Sequence, residues 1–500
     1  MVKQTLKPIE NWQEEEELLV LGFFEKDGKP FGSELGNEIF ANLAYGLSNL
    51  RGDFQGKFGQ KSLSYRIKPK RILFVGLGEE EKFTPEKHKE IAGQVGCCVR
   101  DLGVKSFTTE VFANSFEPQR VKAQVEGHGL GLYRFDAYKK FAHQVEEIKI
   151  LVDFPDRVKE AFNQGLTLVE AVSFVRDLVN EPASAMTPEK LVSFALSLLK
   201  LNCSSVQSGA KFSLLGNEKI RVKIFRKPEL RAQKMNLILA VGDGSKNEPR
   251  LIELEYKPRV HQNEKPYVLV GKAVCFDAGG LQIKTADSMK DMKIDMAGGA
   301  AVLGAIKAIA SLNLPLWIVG LVPAVENIPS GSSYKPGDII KSRSGKTIEI
   351  GHTDAEGRLI LFDALSCAKE KYSPYLIVDI ATLTSACMVA LGKHYAGLFG
   401  NSREFLEKMK IAGQESGDKV WELPLDEKFL KDMESKVADL KNTGSPFGGA
   451  INAACFLQEA VGKEQSWLHL DIAGPAFQDE ATGFGTRLLL QFFLNELKRD

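Results

Sequence analysis

The chain has 500 residues, with 65 Lys and Arg against 65 Asp and Glu, and 44% of its residues are hydrophobic. This length allows two or three domains, and 26% charged residues of balanced sign are typical of a globular protein rather than a disordered one. A net charge of zero excludes a bulk electrostatic attraction to nucleic acid or to an anionic membrane.

The beginning of the sequence predicts no secretory signal, because the acidic block Glu14–Glu17 stands where a signal peptide has a basic region and an apolar run. The longest apolar run, residues 375–391, is interrupted by Asp379, so no membrane helix is predicted. None of the seven cysteines forms a C-x-x-C pair, which favours reduced thiols in a cytoplasmic protein over disulfides or a zinc ribbon. The cysteines are Cys97, Cys98, Cys203, Cys275, Cys367, Cys387 and Cys455.

Apolar runs alternate with a helical pattern through the first 155 residues. Strands are predicted at Glu17–Phe24, Arg71–Gly76 and Ile148–Phe154, and a helix is predicted at Pro85–Gly103, where a glycine ends it. This alternation predicts a smaller N-terminal α/β domain, residues 1–155. The sequence does not indicate what this domain does.

A long helical pattern, residues 156–180, is predicted to connect this domain to a larger one, residues 181–500. In the larger domain, helices are predicted at residues 297–312 and 356–371. Strands are predicted at Asn236–Gly242, Leu251–Tyr256, Tyr267–Gly271, Trp317–Pro323 and Tyr375–Ala381. The alternation predicts an α/β domain with a mostly parallel, helix-covered sheet, whose functional residues collect where strands end.

Charged side chains follow several of these strands within a window of ninety residues. They are Lys272, Asp277, Lys284, Asp295, Asp354, Glu356 and Arg358. Four converging carboxylates cannot all ionise unless cations compensate them. Lysine and arginine supply part of this charge, and carboxylates are also ligands of Mg²⁺, Mn²⁺ and Zn²⁺, which hydrolytic sites often use in pairs. Taken singly, Asp295 or Asp354 is equally well explained as a helix cap or a surface charge.

Several segments resemble the M17 family of leucyl (cytosol) aminopeptidases. His352 to Leu359 (HTDAEGRL) is similar to the family signature N-T-D-A-E-G-R-L, and residues 270–280 are similar to V-G-K-G-x-x-F-D-[ST]-G-G. Residues 329–338 match the P-S-G-x-x-x-x-P-G-D loop, and residues 381–384 and 469–475 also fit. The resemblance covers residues 175–490 and implies a peptidase that removes the N-terminal residue of peptides.

By this resemblance, the ligands of two divalent ions, Mn²⁺ or Zn²⁺, fall on Lys272, Asp277, Asp295, Asp354 and Glu356. The catalytic residues fall on Lys284, which is implied to stabilise the oxyanion, and on Arg358, which is implied to hold a bicarbonate acting as general base. The ions are implied to bind the substrate's α-amine and carbonyl and to activate a water.

The substrate pocket falls, by the same resemblance, on Met292, Thr382, Leu383 and Ser385. A methionine wall suits a substrate that begins with Leu or another apolar residue. The chain also departs from the family pattern, because Ser385 stands for Gly, His352 for Asn, Ala278 for Ser or Thr, and Asn452 for Thr. These departures leave the side-chain preference open.

Two alternative functions remain open beside this interpretation, and the resemblance also implies an oligomeric state. A narrower dipeptidase, acting for example on Cys-Gly, would use the same residues. A further DNA-binding role, implied for some family members, is disfavoured by the zero net charge and by an N-terminal basic content limited to Arg66, Lys68, Lys70 and Arg71. The resemblance also implies a homohexamer that acts on peptides, with no membrane partner.

Overall fold

A computed structural model of the chain describes residues 2–11, 16–33, 36, 53–66, 68–113, 117–141, 144–199 and 219–498. The predicted thiol of Cys203 and the first half of the acidic block Glu14–Glu17 lie outside these residues. The chain divides into two compact units, Met1–Ser173 and Phe174–Asp500, so the division falls inside the predicted connecting helix. Both units have the predicted α/β architecture.

The first unit has one sheet and three helices among its described residues. Its strands are β1 (Lys3–Pro8), β2 (Leu19–Lys26), β3 (Lys29–Gly32), β4 (Lys61–Tyr65), β5 (Arg71–Gly78), β6 (Ser106–Glu110) and β7 (Glu147–Val152). Its helices are α1 (Pro85–Leu102), α2 (Pro118–Gly131) and the first part of α3 (Pro155–Asn180), with short 3₁₀ turns at Ile9–Asn11 and Glu80–Lys82. The strand order is β1-β7-β6-β2-β5-β4, with β3 beside β2.

The centre of this sheet is parallel and buried on both faces. Strands β1, β7, β6, β2 and β5 are parallel, whereas β3 and β4 pair in the antiparallel sense. Alternate residues of β2 belong to two separate apolar clusters, as expected for side chains on opposite faces of a strand. Helix α1 begins after Thr84, which caps it, and ends at Gly103 with a left-handed φ of 67°, as the sequence predicted.

The second unit contains the remaining elements. Its strands are β8 (Ile220–Phe225), β9 (Arg250–Tyr256), β10 (Tyr267–Gly271), β11 (Ala273–Asp277), β12 (Ile318–Asn327), β13 (Ile339–Lys341), β14 (Thr347–Glu349), β15 (Leu376–Ala381), β16 (Ala396–Gly400), β17 (Val420–Glu422), β18 (Leu440–Lys441) and β19 (Trp467–Asp471). Its helices after α3 are α4 (Pro188–Ser197), α5 (Lys227–Ala232), α6 (Asn236–Gly242), α7 (Ala286–Met289), α8 (Ala297–Ser311), α9 (Glu356–Tyr372), α10 (Ser385–Leu391), α11 (Arg403–Ser416), α12 (Lys428–Lys431), α13 (Gly449–Val461) and α14 (Thr486–Glu496). A 3₁₀ turn, Met292–Met296, leads into α8.

Nine strands among residues 219–498 form the main sheet, in the order β17-β16-β19-β15-β10-β12-β9-β8, with β11 beside β12. Strands β19, β15, β10 and β12 are parallel, and antiparallel pairs with β9 and β16 flank them. The predicted mostly parallel centre is therefore confirmed. A separate small sheet joins β13, β14 and β18.

A close backbone contact joins α8 to the central strands. A Cβ atom added to Gly298 would lie 2.1 Å from the Ile380 carbonyl oxygen, so only glycine permits this approach. The contact brings the turn before α8 next to the end of β15.

The strand predicted at Asn236–Gly242 is wrong, because these residues form helix α6. A seven-residue apolar run carries no periodicity that separates a buried strand from a buried helix. The N–H groups of Leu237 and Ile238 at the start of α6 donate to Oδ2 of Asp363, at 2.8 and 3.3 Å, and so favour the helix.

One described stretch, Met292–Ser311, is long and apolar enough to cross a membrane, but 83% of its most apolar window is buried inside the protein. The described cysteines are all free thiols; Cys97 is exposed, Cys98 is half-buried, and the other four are buried.

Candidate functional site

The structure brings the charged residues predicted from the sequence together, two of them at the carboxyl ends of parallel strands and the others in turns and at a helix start. Lys272 follows β10 and Asp277 ends β11. Asp295 lies in the 3₁₀ turn before α8, and Glu356 begins α9 after the turn that contains Asp354. The parallel strands place Lys272 and Asp277 at one edge of the sheet. Ion pairs link these two residues, directly or through a second lysine, to the turns of Asp295 and Asp354 and to the start of α9.

Lys272 joins two of the carboxylates. Its Nζ lies 2.8 Å from Oδ1 of Asp295 and 2.9 Å from Oε1 of Glu356, and it donates to the Thr382 carbonyl at 3.0 Å. The Thr382 hydroxyl donates in turn to Oδ1 of Asp295 at 2.8 Å. All four side chains are buried, so these contacts are shielded from solvent.

Lys284 joins the other two carboxylates. Its Nζ lies 2.8 Å from Oδ2 of Asp277 and also pairs with Asp354. The other oxygen of Asp277, Oδ1, accepts from the Asn327 side-chain amide at 2.8 Å and from the Gly279 N–H at 2.9 Å. Asp277 is therefore held on both oxygens.

The electrostatics of the cluster follow from burial and from crowded like charges. Burial, together with Glu356 and Asp277, raises the pKa of Asp295 well above its ordinary value despite the opposing effect of Lys272. Burial and the charge of Asp277 raise the pKa of Asp354 to about 7. Burial lowers the pKa of Lys272, but Asp295, Glu356 and Asp277 outweigh it, so the net direction is upward. The carboxylates therefore require positive charge in their midst.

The cluster fits divalent cations. Asp277, Asp354 and Glu356 each offer an oxygen atom, and these atoms lie within 4.8 Å of one another. Among the described residues, Oδ2 of Asp295 and Oε2 of Glu356 are buried without a hydrogen-bond partner. Buried carboxylate oxygens without donors are costly unless a cation binds them. The donor set is rich in carboxylate oxygen, which suits hard divalent ions such as Mg²⁺ and Mn²⁺.

Arg358 lies in the first turn of α9. Its Nη1 donates to the Asn442 carbonyl at 2.9 Å, and its buried Nε has no hydrogen-bond partner within the described part of the chain. Burial lowers the pKa of Arg358 to about 10, while Glu356 and Asp471 oppose that shift, so the guanidinium remains charged at neutral pH. A charged, incompletely paired guanidinium suits the binding of an anion.

Several side-chain hydrogen bonds hold the turn that carries Asp354, among them bonds made by His352 and Asn442. Nδ1 of His352 accepts from the Asp354 N–H at 3.0 Å. An asparagine oxygen at this position could accept the same local bond. Oδ1 of Asn442 accepts from the N–H groups of Gly351 and His352, at 2.7 and 3.2 Å.

The predicted pocket residues differ in how closely they approach the cluster. Thr382 contacts it directly, as described above. Leu383 packs partly against the core, and Ser385 is exposed at the first position of α10. Met292 is half-buried at the start of the turn that holds Asp295, and its closeness to Asp295 comes from this shared turn.

The sequence alone did not single out several residues that hold the site. Asn327 and Asp471 end β12 and β19, so their positions at strand ends were an available signal. Thr353 and Gln282 bind each other's loops, because the Thr353 N–H donates to Oε1 of Gln282 at 2.8 Å and the Gln282 N–H donates to the Thr353 hydroxyl at 2.9 Å. Asn442 lies 84 residues from Arg358, and no local pattern marks it.

Comparison with protein families gives matches over both units. The model described as the catalytic domain of the cytosol aminopeptidase family matches residues 173–490, and the model of its N-terminal domain matches residues 20–141. A probable cytosol aminopeptidase of Geotalea uraniireducens is 38% identical over 496 residues, which cover 95% of this chain and 96% of the relative. Another, of Aquifex aeolicus, is 40% identical over 474 residues, which cover 91% and 92%.

Solved structures give similar matches. A tomato leucine aminopeptidase mutant is 30% identical with a TM-score of 0.87, covering 99% of this chain and 97% of that chain. The bottromycin maturation enzyme BotP in complex with Mn is also 30% identical, with a TM-score of 0.83, covering 96% and 99%.

Proposed function

We propose that this aminopeptidase, which belongs to the cytosol aminopeptidase family, depends on divalent metal ions. We also propose that it prefers peptides that begin with Leu or another apolar residue. The observation that carries the proposal is the cluster of four carboxylates with two buried oxygens that lack donors. The complex of BotP with Mn, which has the same fold, agrees with it.

The ligands in this proposal are Lys272, Asp277, Asp295, Asp354 and Glu356. Two bound divalent ions would supply the charge that polarises a carbonyl and lowers the pKa of water. Lys272 must lose its proton to serve as a ligand, and its present pairing with Asp295 and Glu356 holds its place between them.

Two cationic side chains have separate tasks. Lys284 keeps its charge at the edge of the cluster, where an ammonium group stabilises negative charge that develops on the substrate carbonyl oxygen. Arg358 offers its guanidinium to an anion, for which bicarbonate is our proposal. Lys284 therefore stabilises the transition state, whereas Arg358 holds the anion that acts as general base.

The proposed pocket is formed by Met292, Thr382, Leu383 and Ser385. Apolar side chains at Met292 and Leu383 favour an apolar first residue of the substrate, and Ser385, which is exposed, has a larger side chain than the glycine expected there. We further propose a cytoplasmic location, in keeping with the names of the relatives, and a homohexamer, which only the motif resemblance implies.

Chelation tests the metal dependence. Removal of divalent ions should abolish hydrolysis of leucine amide, and Mn²⁺ or Zn²⁺ should restore it, with metal analysis giving two ions per chain. Activity that survives complete removal of metal would refute the proposal. Equal turnover of leucine, glycine and aspartate amides would refute the apolar preference, and a large preference for Cys-Gly would identify the narrower dipeptidase. Size-exclusion chromatography with light scattering tests the hexamer.

A further inference from the structure

Asp471, the last residue of β19, binds the loop that follows the neighbouring strand β15. We propose that Asp471 is a positioning residue of the active site, whose buried carboxylate holds the loop Thr382–Thr384 and thereby the contacts of Thr382 with the cluster. This inference rests on the proposed function, since it concerns the geometry of the same site.

The carboxylate of Asp471 receives four hydrogen bonds. Oδ2 accepts from the Thr384 hydroxyl at 2.7 Å. Oδ1 accepts from the N–H groups of Leu383 and Ala473, each at 3.2 Å, and more weakly from that of Thr384 at 3.5 Å. Asp471 is fully buried and stands beside Ala381 in the strand register, so it lies where the loop leaves the sheet. Three of the four donors belong to the loop.

The other end of the same loop contacts the metal-ligand residues. The Thr382 carbonyl accepts from Nζ of Lys272 at 3.0 Å, and the Thr382 hydroxyl donates to Asp295 at 2.8 Å. Only Leu383 separates Thr382 from Thr384. A shift of the loop would therefore move an acceptor away from Lys272 and a donor away from Asp295 together.

The same contact also sets the start of α10, which carries the pocket residue Ser385. The Thr384 hydroxyl accepts from the Cys387 N–H at 3.1 Å, which caps the helix, while it donates to Asp471. The hydroxyl thus accepts one hydrogen bond and donates another. Loss of either partner would free the first turn of α10, so substrate preference should respond as well as turnover.

A buried imidazole and a second buried carboxylate lie near Asp471 in the same strand region. Nδ1 of His469 lies 2.6 Å from Oδ1 of Asp379, and Nε1 of Trp467 donates to the other oxygen of Asp379 at 2.6 Å. Burial lowers the pKa of His469, but Asp379 and then Asp471 raise it, and the net direction is upward. Burial raises the pKa of Asp471, and His469 opposes this shift. Asp379 and Asp471 thus favour the protonated form of His469, and the imidazole in turn favours the ionised form of Asp471.

A matched pair of substitutions at Thr384 tests the inference, with Asp471→Asn as a third variant. Thr384→Val removes the hydroxyl at nearly constant volume, and Thr384→Ser keeps it. Asp471→Asn keeps an acceptor for the loop N–H groups and removes the charge. For each variant, kcat and KM are measured with leucine amide and alanine amide, alongside the melting temperature and bound Mn²⁺ per chain.

We expect Thr384→Val to lower kcat/KM for leucine amide by about tenfold or more, the usual effect of losing a residue that orients a metal site. The ratio of leucine to alanine turnover should change, bound Mn²⁺ should stay as in the wild type, and Thr384→Ser should restore both kinetic values. Asp471→Asn should act in the same direction as Thr384→Val.

A lowered melting temperature with wild-type kcat and an unchanged leucine-to-alanine ratio would overturn the inference, because a merely structural contact gives that result. If Asp471→Asn does not fold, the Thr384 pair decides alone. A wild-type protein that is inactive on both amides with Mn²⁺ bound contradicts the proposed function instead, so the two failures are distinguishable.

Discussion

Glu110 is a buried carboxylate of the first unit, remote in sequence from the candidate site, and its substitution by glutamine should stabilise that unit. Oε1 of Glu110 accepts from the Gly22 N–H at 3.1 Å, and Oε2 pairs with the Ser33 hydroxyl. Glutamine keeps both contacts, since its oxygen can accept from Gly22 and its amide can donate to Ser33. The substitution therefore removes a titrating charge and keeps a hydrogen bond to each partner, with the direction of the Ser33 bond reversed.

The magnitude follows from the pKa of Glu110, which burial raises from 4.5 to about 7. A carboxyl with a raised pKa contributes stability that is complete below pH 4.5 and is lost as the pH rises through 7. A shift of this size is worth about 3 kcal/mol, so at pH 8 the wild type carries an ionised carboxylate that costs about that much. Glutamine resembles the protonated acid and avoids the cost.

We therefore expect Glu110→Gln to raise the free energy of unfolding of the first unit by about 3 kcal/mol at pH 8, and by only about 1 kcal/mol at pH 5. Two buried imidazoles of the same unit act in the opposite sense. Burial lowers the pKa of His88 to about 3 and of His128 to about 4. The stability that each neutral imidazole contributes to the fold is therefore lost as the pH falls below 6.5. They are present in both proteins and cancel in the difference.

Urea-dependent hydrogen exchange of peptides from β2 and β6, measured by mass spectrometry at pH 8 and pH 5, gives the unfolding free energy of this unit. Glu90→Gln is the control, because Glu90 is exposed and its loss should change stability by less than about 0.5 kcal/mol at either pH. A Glu110→Gln gain that is absent at pH 8, or that is equal at the two pH values, would show that the buried carboxylate is not the source of the effect.

Three further predictions concern the candidate site. Lys284→Met should lower kcat for leucine amide by about 10²-fold to 10³-fold, because a stabilising charge is lost, while bound metal stays near two ions per chain; near-normal turnover would exclude this role for Lys284. Gly357→Ala should impair metal binding in a titration followed by calorimetry, because its Cβ would lie 2.6 Å from Nζ of Lys272, whereas Gly331→Ala, with open space around it, should bind metal normally. Ser385→Gly should increase turnover of substrates with larger apolar first residues relative to alanine amide, and an unchanged ratio would remove Ser385 from the pocket.

Local patterns predicted the parts of the fold that local physics determines. The apolar run at β2 and the glycine that ends α1 are read correctly, because strand burial and helix termination depend on neighbouring residues. The run Asn236–Gly242 is misread because its state depends on Asp363, more than 120 residues away. Tertiary contacts override propensity in such short segments.

In the candidate site, too, local motifs were predictable from the sequence and tertiary contacts were not. Motif spacing identified the charged residues, but it gave no indication that Lys272 and Lys284 each pair with two different carboxylates in the structure. Asn327 binds Asp277 and Asn442 binds the Gly351 N–H through hydrogen bonds that depend on which loops meet at the edge of the sheet. Single residues of such loops carry no periodic signal.

The close approach of Gly298 to the Ile380 carbonyl has a consequence for how the site responds to solution conditions. Gly298 is three residues from Asp295, and Ile380 is two residues from Thr382, so the separation of these two segments is limited by direct contact of main-chain atoms. Steric contact of this kind does not weaken with ionic strength or with pH, as exposed ion pairs do. Alignment of the two segments should therefore tolerate salt and acid and should fail when a methyl group is added at Gly298.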